Sequence, residues 1–157
     1  MRIAVMSDTH GLLRPEAMEI VKSCDVILHG GDIDTPEILE KLSAYAQLYV
    51  ARGNNDREWA ESLPLSLHFE LAGIRFFMVH DKKDIPKDLS ATDVVVFGHS
   101  HQYFEEIKNG CLWLNPGSCG KRRFRLGVTM AVLEIEDKCL DVQRIELIPA
   151  SPSKNKA

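Results

Sequence analysis

The sequence predicts an α/β fold in which two β-sheets stack as a sandwich, with helices outside. Three observations lead there. Short runs rich in Val, Ile and Phe recur along the chain, and each stops at a polar cluster. Helix-like spacing separates the first three runs, which predicts parallel strands joined by crossovers. Turn-like residues separate the later runs, which predicts hairpins.

Taken in order, Ile3 to Met6 leads into Ser7-Asp8-Thr9-His10. Pro15 suits the first position of a helix, with Ala17, Met18 and Val21 on one face. Val26 to Leu28 leads into His29-Gly30-Gly31-Asp32. Thr35 is an expected N-cap before Pro36, with Ile38, Leu39 and Leu42 facing inward. Leu48 to Val50 leads into Arg52-Gly53-Asn54-Asn55-Asp56. Ser66 to Leu71 and Arg75 to Val79 flank Ala72-Gly73, a hairpin turn. Val94 to Phe97 leads into Gly98-His99-Ser100-His101. Tyr103 to Ile107 and Cys111 to Leu114 flank Asn109-Gly110, and the second run leads into Asn115-Pro116-Gly117-Ser118. Val128 to Ile135 and Leu140 to Ile145 flank Glu136-Asp137-Lys138. Runs apolar on both faces are those of buried strands. Residues 1–150 are expected to form one domain and residues 151–157 a mobile tail.

The bulk composition excludes several classes. With 157 residues, 45% hydrophobic and 27% charged, the chain can bury a core without disulfides. A net charge of -4 gives no whole-protein case for binding nucleic acid or membranes, so an anionic substrate needs local positive charge or metal. The four cysteines are scattered and form no C-x-x-C pair, which suits buried, reduced thiols. No apolar run approaches the roughly 18 residues of a membrane span, and no signal-peptide pattern stands at the start. A cytoplasmic location is the expectation.

The polar clusters follow the strands, and in open α/β sheets ligands bind beyond the carboxyl ends. One site built from many loops is therefore expected, carrying Asp8, His10, Asp32, Asn54, His80, His99 and His101. This set of imidazoles, carboxylates and an amide, without thiols, suits Mn²⁺, Fe²⁺, Zn²⁺, Ni²⁺ or Co²⁺. It exceeds what one tetrahedral ion needs and fits two ions sharing a carboxylate. Asp8 and His10 are two apart, as are His99 and His101, so in extended chain each pair would face one side. Gly30, Gly31, Gly53 and Gly98 permit tight turns and close backbone approach beside the candidate ligands.

Asp8-x-His10, Gly31-Asp32, Gly53-Asn54-Asn55-Asp56, His80 and Gly98-His99-Ser100-His101 stand in an order that resembles the calcineurin-like metallophosphoesterase superfamily. The short length and Asn115-Pro116-Gly117-Ser118 resemble its single-domain phosphodiesterase branch. The resemblance implies a four-layer α/β/β/α sandwich of two mixed sheets flanked by helices. It implies one metal held by Asp8, His10, Asp32 and His101, and a second by Asp32, Asn54, His80 and His99, with Asp32 as the bridge. Mn²⁺ is the first candidate, with Fe²⁺, Zn²⁺, Ni²⁺ or Mg²⁺ as others. The implied reaction is hydrolysis of a phosphodiester by a hydroxide shared between two metals, with Asp32, Asn54 and Asn55 as catalytic residues. A small phosphodiester is the expected substrate; nucleic acid is a weaker reading, and a homo-oligomer is compatible. The rival class is a noncatalytic metal-binding scaffold for protein interaction, which the intact ligand set disfavours.

Two positions depart from the family pattern. Many relatives have His where Asn55 stands, and Asn cannot donate a proton near neutral pH. His80 is often followed by Gly, whereas here Asp81 follows. Of the rest, His29 is expected to serve structurally or to orient a ligand, His68 to pack or face solvent, and Asp56 to pair with Arg52 or Arg57. Lys121, Arg122, Arg123 and Arg125 form either a solvated loop or a clamp for an anion.

Overall fold

The computed structural model describes residues 1–123 and 125–150; Phe124 and the segment 151–157, expected as a tail, lie outside the described residues. The first sheet has the strand order β10-β9-β1-β2-β3 and the second β4-β5-β6-β8-β7. Their ranges are β1 (Arg2–Met6), β2 (Val26–His29), β3 (Gln47–Val50), β4 (Ser66–Leu71), β5 (Ile74–Val79), β6 (Val94–Val96), β7 (Tyr103–Lys108), β8 (Cys111–Pro116), β9 (Val128–Glu136) and β10 (Cys139–Ile148). Each sheet mixes parallel and antiparallel neighbours, as expected.

The two α-helices, α1 (Pro15–Val21) and α2 (Pro36–Ser43), cross over between the parallel strands of the first sheet. Both begin at Pro, whose fixed φ suits the first helical position. Thr35 sits at the N-cap with an extended backbone, but its side chain makes no capping hydrogen bond.

Alternation along β1 explains the layers. Ile3 and Val5 face the second sheet and pack with Phe76, Met78, Val96 and Leu114. Ala4 and Met6 face the other way and pack with Ala17, Val21, Ile38 and Leu42 of the helices. Both faces are buried, so the strand carries no polar alternation. The outer face of the second sheet presents Phe77, Val79, Val95 and Phe97, covered partly by Ile85 and Leu89. That flanking layer is built on a 3-10 turn (Lys82–Asp84) and the chain after it.

The three hairpins turn where Gly or short polar residues predict. Ala72-Gly73, Asn109-Gly110 and Asp137-Lys138 all have positive φ at both central positions, the twist that suits two-residue hairpins. Glu136 pairs with Cys139, so the third turn is two residues long rather than three. Among the described residues no helix is long and apolar enough to cross a membrane.

Register positions the loops. Met6 pairs with His29 and His29 with Val50, so three strands of the first sheet end level. In the second sheet β5, β6 and β8 run parallel and end on the same side. The sheets are tied at this edge: His99 N–H donates to Asp8 Oδ2 at 3.1 Å, and His80 Nδ1 lies 2.7 Å from Gly30 O.

Candidate metal centre

All seven predicted ligands meet at that edge. Two groups of donors form, Asp8 with His10 and His101, and Asp32 with His80 and His99. Asn54, the seventh, joins the second group, its Oδ1 3.2 Å from His99 Nδ1. Asp8, His10, Asp32, His80 and His101 are buried, whereas Asn54 and His99 are exposed.

The backbone does this differently from the extended-chain expectation. Asp8, His10, Asp32, Asp34, His99 and His101 all have φ between 46° and 73°. The other four non-Gly residues with positive φ among those described lie in the hairpin turns. Left-handed backbone at a non-Gly residue costs about 1 kcal/mol or more and persists only where the surroundings enforce it. Each i, i+2 pair therefore converges through two left-handed residues, not through a pleated strand. The glycines have a separate task. A Cβ on Gly53 would collide with Asp32 N and Oδ1, and one on Gly98 would lie 2.7 Å from Asp8 Oδ2.

Hydrogen bonds aim the donors. His80 Nδ1 lies 2.7 Å from Gly30 O, which only accepts, so Nδ1 carries hydrogen and Nε2 is the nitrogen that faces Asp32 Oδ2 at 3.3 Å. His10 Nδ1 lies 3.1 Å from Asp34 Oδ2, leaving Nε2 to face inward. Such outer partners set the tautomer of metal-binding histidines. Asn54 Nδ2 donates to Asn55 Oδ1 at 3.3 Å, which turns the Asn54 carbonyl oxygen toward His99. Asn55 N–H in turn donates to Asp32 Oδ1 at 2.9 Å, leaving Oδ2 for the site.

Several supports were not foreseen. Asp56 was expected to pair with an arginine; its carboxylate instead accepts the N–H groups of Asp32, Ile33, Asp34 and Gly53 at 2.8–3.0 Å. Arg52 Nε donates to the Asp56 backbone carbonyl at 2.9 Å. The buried Asp56 thus fixes the loop that carries Asp32. The signal lay in the Gly53-Asn54-Asn55-Asp56 run, but four amide partners leave no mark in sequence. Ser7 Oγ donates to Asp8 Oδ2 at 2.6 Å, and Ser118 Oγ to Asp8 O at 2.8 Å. His29 takes the structural role expected of it, bracing the loops beside the ligands: Gly31 N–H donates to its Nδ1 at 3.0 Å, so Nε2 donates to Thr9 Oγ1 at 3.1 Å. Burial pushes the His29 pKa down to about 4, keeping it neutral.

The electrostatics call for positive charge here. Burial opposes ionisation of Asp8, yet the imidazoles of His10, His101 and His80 and the Ser7 hydroxyl hold its carboxyl well below the usual range. Asp32 is lowered likewise, burial again being outweighed by His80 and the Asn55 amide. His10 is raised by Asp8 against the opposing effect of burial, with Asp34 assisting. Burial also opposes charge on His80, but Asp32 and Asp8 raise it to about 9. The donor set itself fits cations. Asp8 Oδ1 is buried without a hydrogen-bond partner, and His10 Nε2 and His101 Nε2 face each other at 3.2 Å. Converging lone pairs of this kind need a proton or a metal between them.

Around the centre, a cleft of about 390 Å³ opens beside Asn54 and His80, walled by Arg52, Leu65, Asp81 and Lys83. The basic run divides. Arg123 lines a small hollow with His99 and His101, whereas Arg122 donates to the Leu126 and Pro149 carbonyls. His68 lies in β4 against Phe77, away from the centre, as its packing reading expected.

A family model described as the calcineurin-like phosphoesterase superfamily domain matches residues 1–138. A probable metallophosphoesterase of Methanothermobacter thermautotrophicus is 32% identical, covering 92% of each chain. Phosphodiesterase YfcE of Escherichia coli is 30% identical, covering 75% of this chain and 79% of its own. In fold, the crystal structure of Chaetomium thermophilum Vps29 superposes with a TM-score of 0.75 at 17% identity, covering 97% of this chain and 100% of that one.

Proposed function

Because the chain belongs to the calcineurin-like phosphoesterase superfamily, we propose that it is a phosphodiesterase working with two divalent metal ions, Mn²⁺ first among them. The observation that carries this reading is Asp32 Oδ2, which stands 3.7 Å from His10 Nε2 and 3.3 Å from His80 Nε2. One carboxylate oxygen faces both donor groups, as a shared ligand must. Asp8, His10, Asp32 and His101 would hold one ion, and Asp32, Asn54, His80 and His99 the other. When bound, such a pair supplies Lewis-acid charge to phosphoryl oxygens and acidifies a water.

The chain's own residues do the rest. Gly30 O and Asp34 aim the inward lone pairs of His80 and His10. Asp56 clamps the backbone on both sides of the Asp32–Gly53 contact, so the donors need little reorganisation during reaction. Asn55 fixes the Asn54 amide and can donate a hydrogen bond to a phosphoryl oxygen, but it supplies no proton. Substrates with good leaving groups should therefore react best, since a general acid is typically worth about 10²–10⁴-fold. Residues 1–150 are taken as one metallophosphoesterase domain acting on a small phosphodiester in the cytoplasm.

The test is elemental analysis combined with turnover of bis(p-nitrophenyl) phosphate after chelation and re-addition of Mn²⁺. Two ions per chain and Mn²⁺-restored turnover are expected. Less than one ion, with no turnover under any divalent metal, would remove the reading. Two bound ions without turnover would favour a noncatalytic scaffold.

A further inference from the structure

Metal-binding histidines commonly pass their outer N–H to a carboxylate or carbonyl, which fixes the ring and raises its basicity. His10 has Asp34 for this, and His80 has Gly30 O. His99 presents Nδ1 inward, 3.2 Å from Asn54 Oδ1 and 3.3 Å from His80 Nε2. Its Nε2 therefore faces outward, and Asp81 Oδ2 stands 3.7 Å from it. That separation is beyond a hydrogen bond but within an ion-pair approach. The Asp81 carboxylate is held for the purpose: its Oδ1 accepts the Lys83 N–H at 3.1 Å, anchoring it at the start of the Lys82–Asp84 turn. Lys83 Nζ also lies 3.8 Å from Asp81 Oδ2 but is largely exposed.

We propose that Asp81 is a positioning residue for His99, accepting its Nε2–H when Nδ1 engages a cation, and so strengthening the Asp32/His80/His99 half of the centre alone. The inference rests on the reading that these residues hold one of two ions. It gives the departure at position 81 a physical role. His99 is the most exposed histidine of the centre, with 47% of its side chain accessible, and has the least packing to hold its ring. A carboxylate fixed to the neighbouring turn supplies the restraint that burial supplies to His10, His80 and His101.

Calorimetric titration of Mn²⁺ into the chelator-stripped full chain tests this. Asp81→Asn keeps an acceptor for the Lys83 amide, since Asn caps as well as Asp, while removing the charge. One class of Mn²⁺ site should weaken about 10-fold and the other stay within about 2-fold. Asp81→Ala should weaken the same class by about 10–100-fold. Asp84→Asn, which changes a charge in the same cleft, should leave both classes unaltered. In a His99→Ala background, Asp81→Asn should add nothing, because the ring it restrains is gone. Unchanged affinity in both Asp81 variants, equal loss in both classes, or full loss persisting without His99 would each overturn the proposal. A wild-type chain with only one class of site would overturn it together with the two-ion reading. Two intact classes without turnover would overturn the hydrolase reading alone.

Discussion

Gly98→Ala should damage the metal centre although residue 98 offers no ligand. The added methyl would overlap Ser7 Oγ and stand 2.7 Å from Asp8 Oδ2, where ordinary contact begins near 3.4 Å. Asp8 must then retreat by about 0.7 Å and Ser7 must rotate, releasing its hydrogen bond to Asp8. Overpacking costs about 1–3 kcal/mol and a lost bond to a charged acceptor about 1.5–3 kcal/mol, so a stability loss near 3 kcal/mol is expected. The larger effect is on function, because a ligand displaced by close to 1 Å typically costs about 100-fold in rate. Chemical denaturation of the metal-free protein and kcat for bis(p-nitrophenyl) phosphate measure the two losses. Ser7→Ala in the same chain should recover part of the stability, because the overlapping hydroxyl is gone. A Gly98→Ala protein with wild-type turnover and stability would refute the reasoning that packs this loop against Asp8.

Asp56→Ala strands four N–H groups of the Asp32 loop and should lower stability by about 3 kcal/mol or more, seen as a melting-temperature drop of roughly 10 °C; a change below 2 °C would contradict its clamping role. Metal uptake should release protons, because His80, raised to about 9, must give up its proton to bind. Apparent affinity should then rise about tenfold per pH unit toward pH 9, and proton release should appear in buffers of differing ionisation enthalpy. The metal-free fold should show the opposite trend above pH 6.5. His80 contributes stability that is complete below its unfolded value of 6.5 and lost as pH climbs through about 9. His29, depressed to about 4, contributes stability lost as pH falls from 6.5 toward 4, so these two residues set a maximum near pH 6.5. A metal-free melting temperature rising steadily from pH 6.5 to 9 would contradict this. Asn55→His should raise turnover of alkyl phosphodiesters relative to p-nitrophenyl esters by about 10-fold or more, since it restores a proton donor. An unchanged ratio would show that the leaving group departs without help from that position.

The strands were legible because their residues are apolar on both faces and stop abruptly. Val94 to Val96 and Phe76 to Val79 can only be buried runs, and His99 and His80 follow them at once. The donors were legible because imidazole and carboxylate at successive strand ends have few structural uses together. Less could be read where geometry depends on partners far away in sequence. Asp8 and His10 look like one side of a strand, yet both sit in left-handed backbone, enforced by bonds such as His10 N–H to Asp32 O at 3.0 Å. Asp34 gives no sequence sign that it supports His10, since 24 residues separate them and no periodicity links them. Thr35 has the composition of a cap and the extended backbone of one, but its side chain makes no capping hydrogen bond. Asn115 and Pro116 suggest a turn, yet both extend β8, where Asn115 Nδ2 donates to Gly98 O at 3.0 Å and braces the His99 loop.

Anomalous diffraction from crystals soaked in Mn²⁺ bears most directly on the two-ion centre. Two peaks roughly 3.5–4 Å apart are expected, one among Asp8, His10 and His101, the other among His80, His99 and Asn54, with Asp32 Oδ2 reaching both. A single peak at saturating Mn²⁺, or a pair lacking Asp32 in common, would contradict the account.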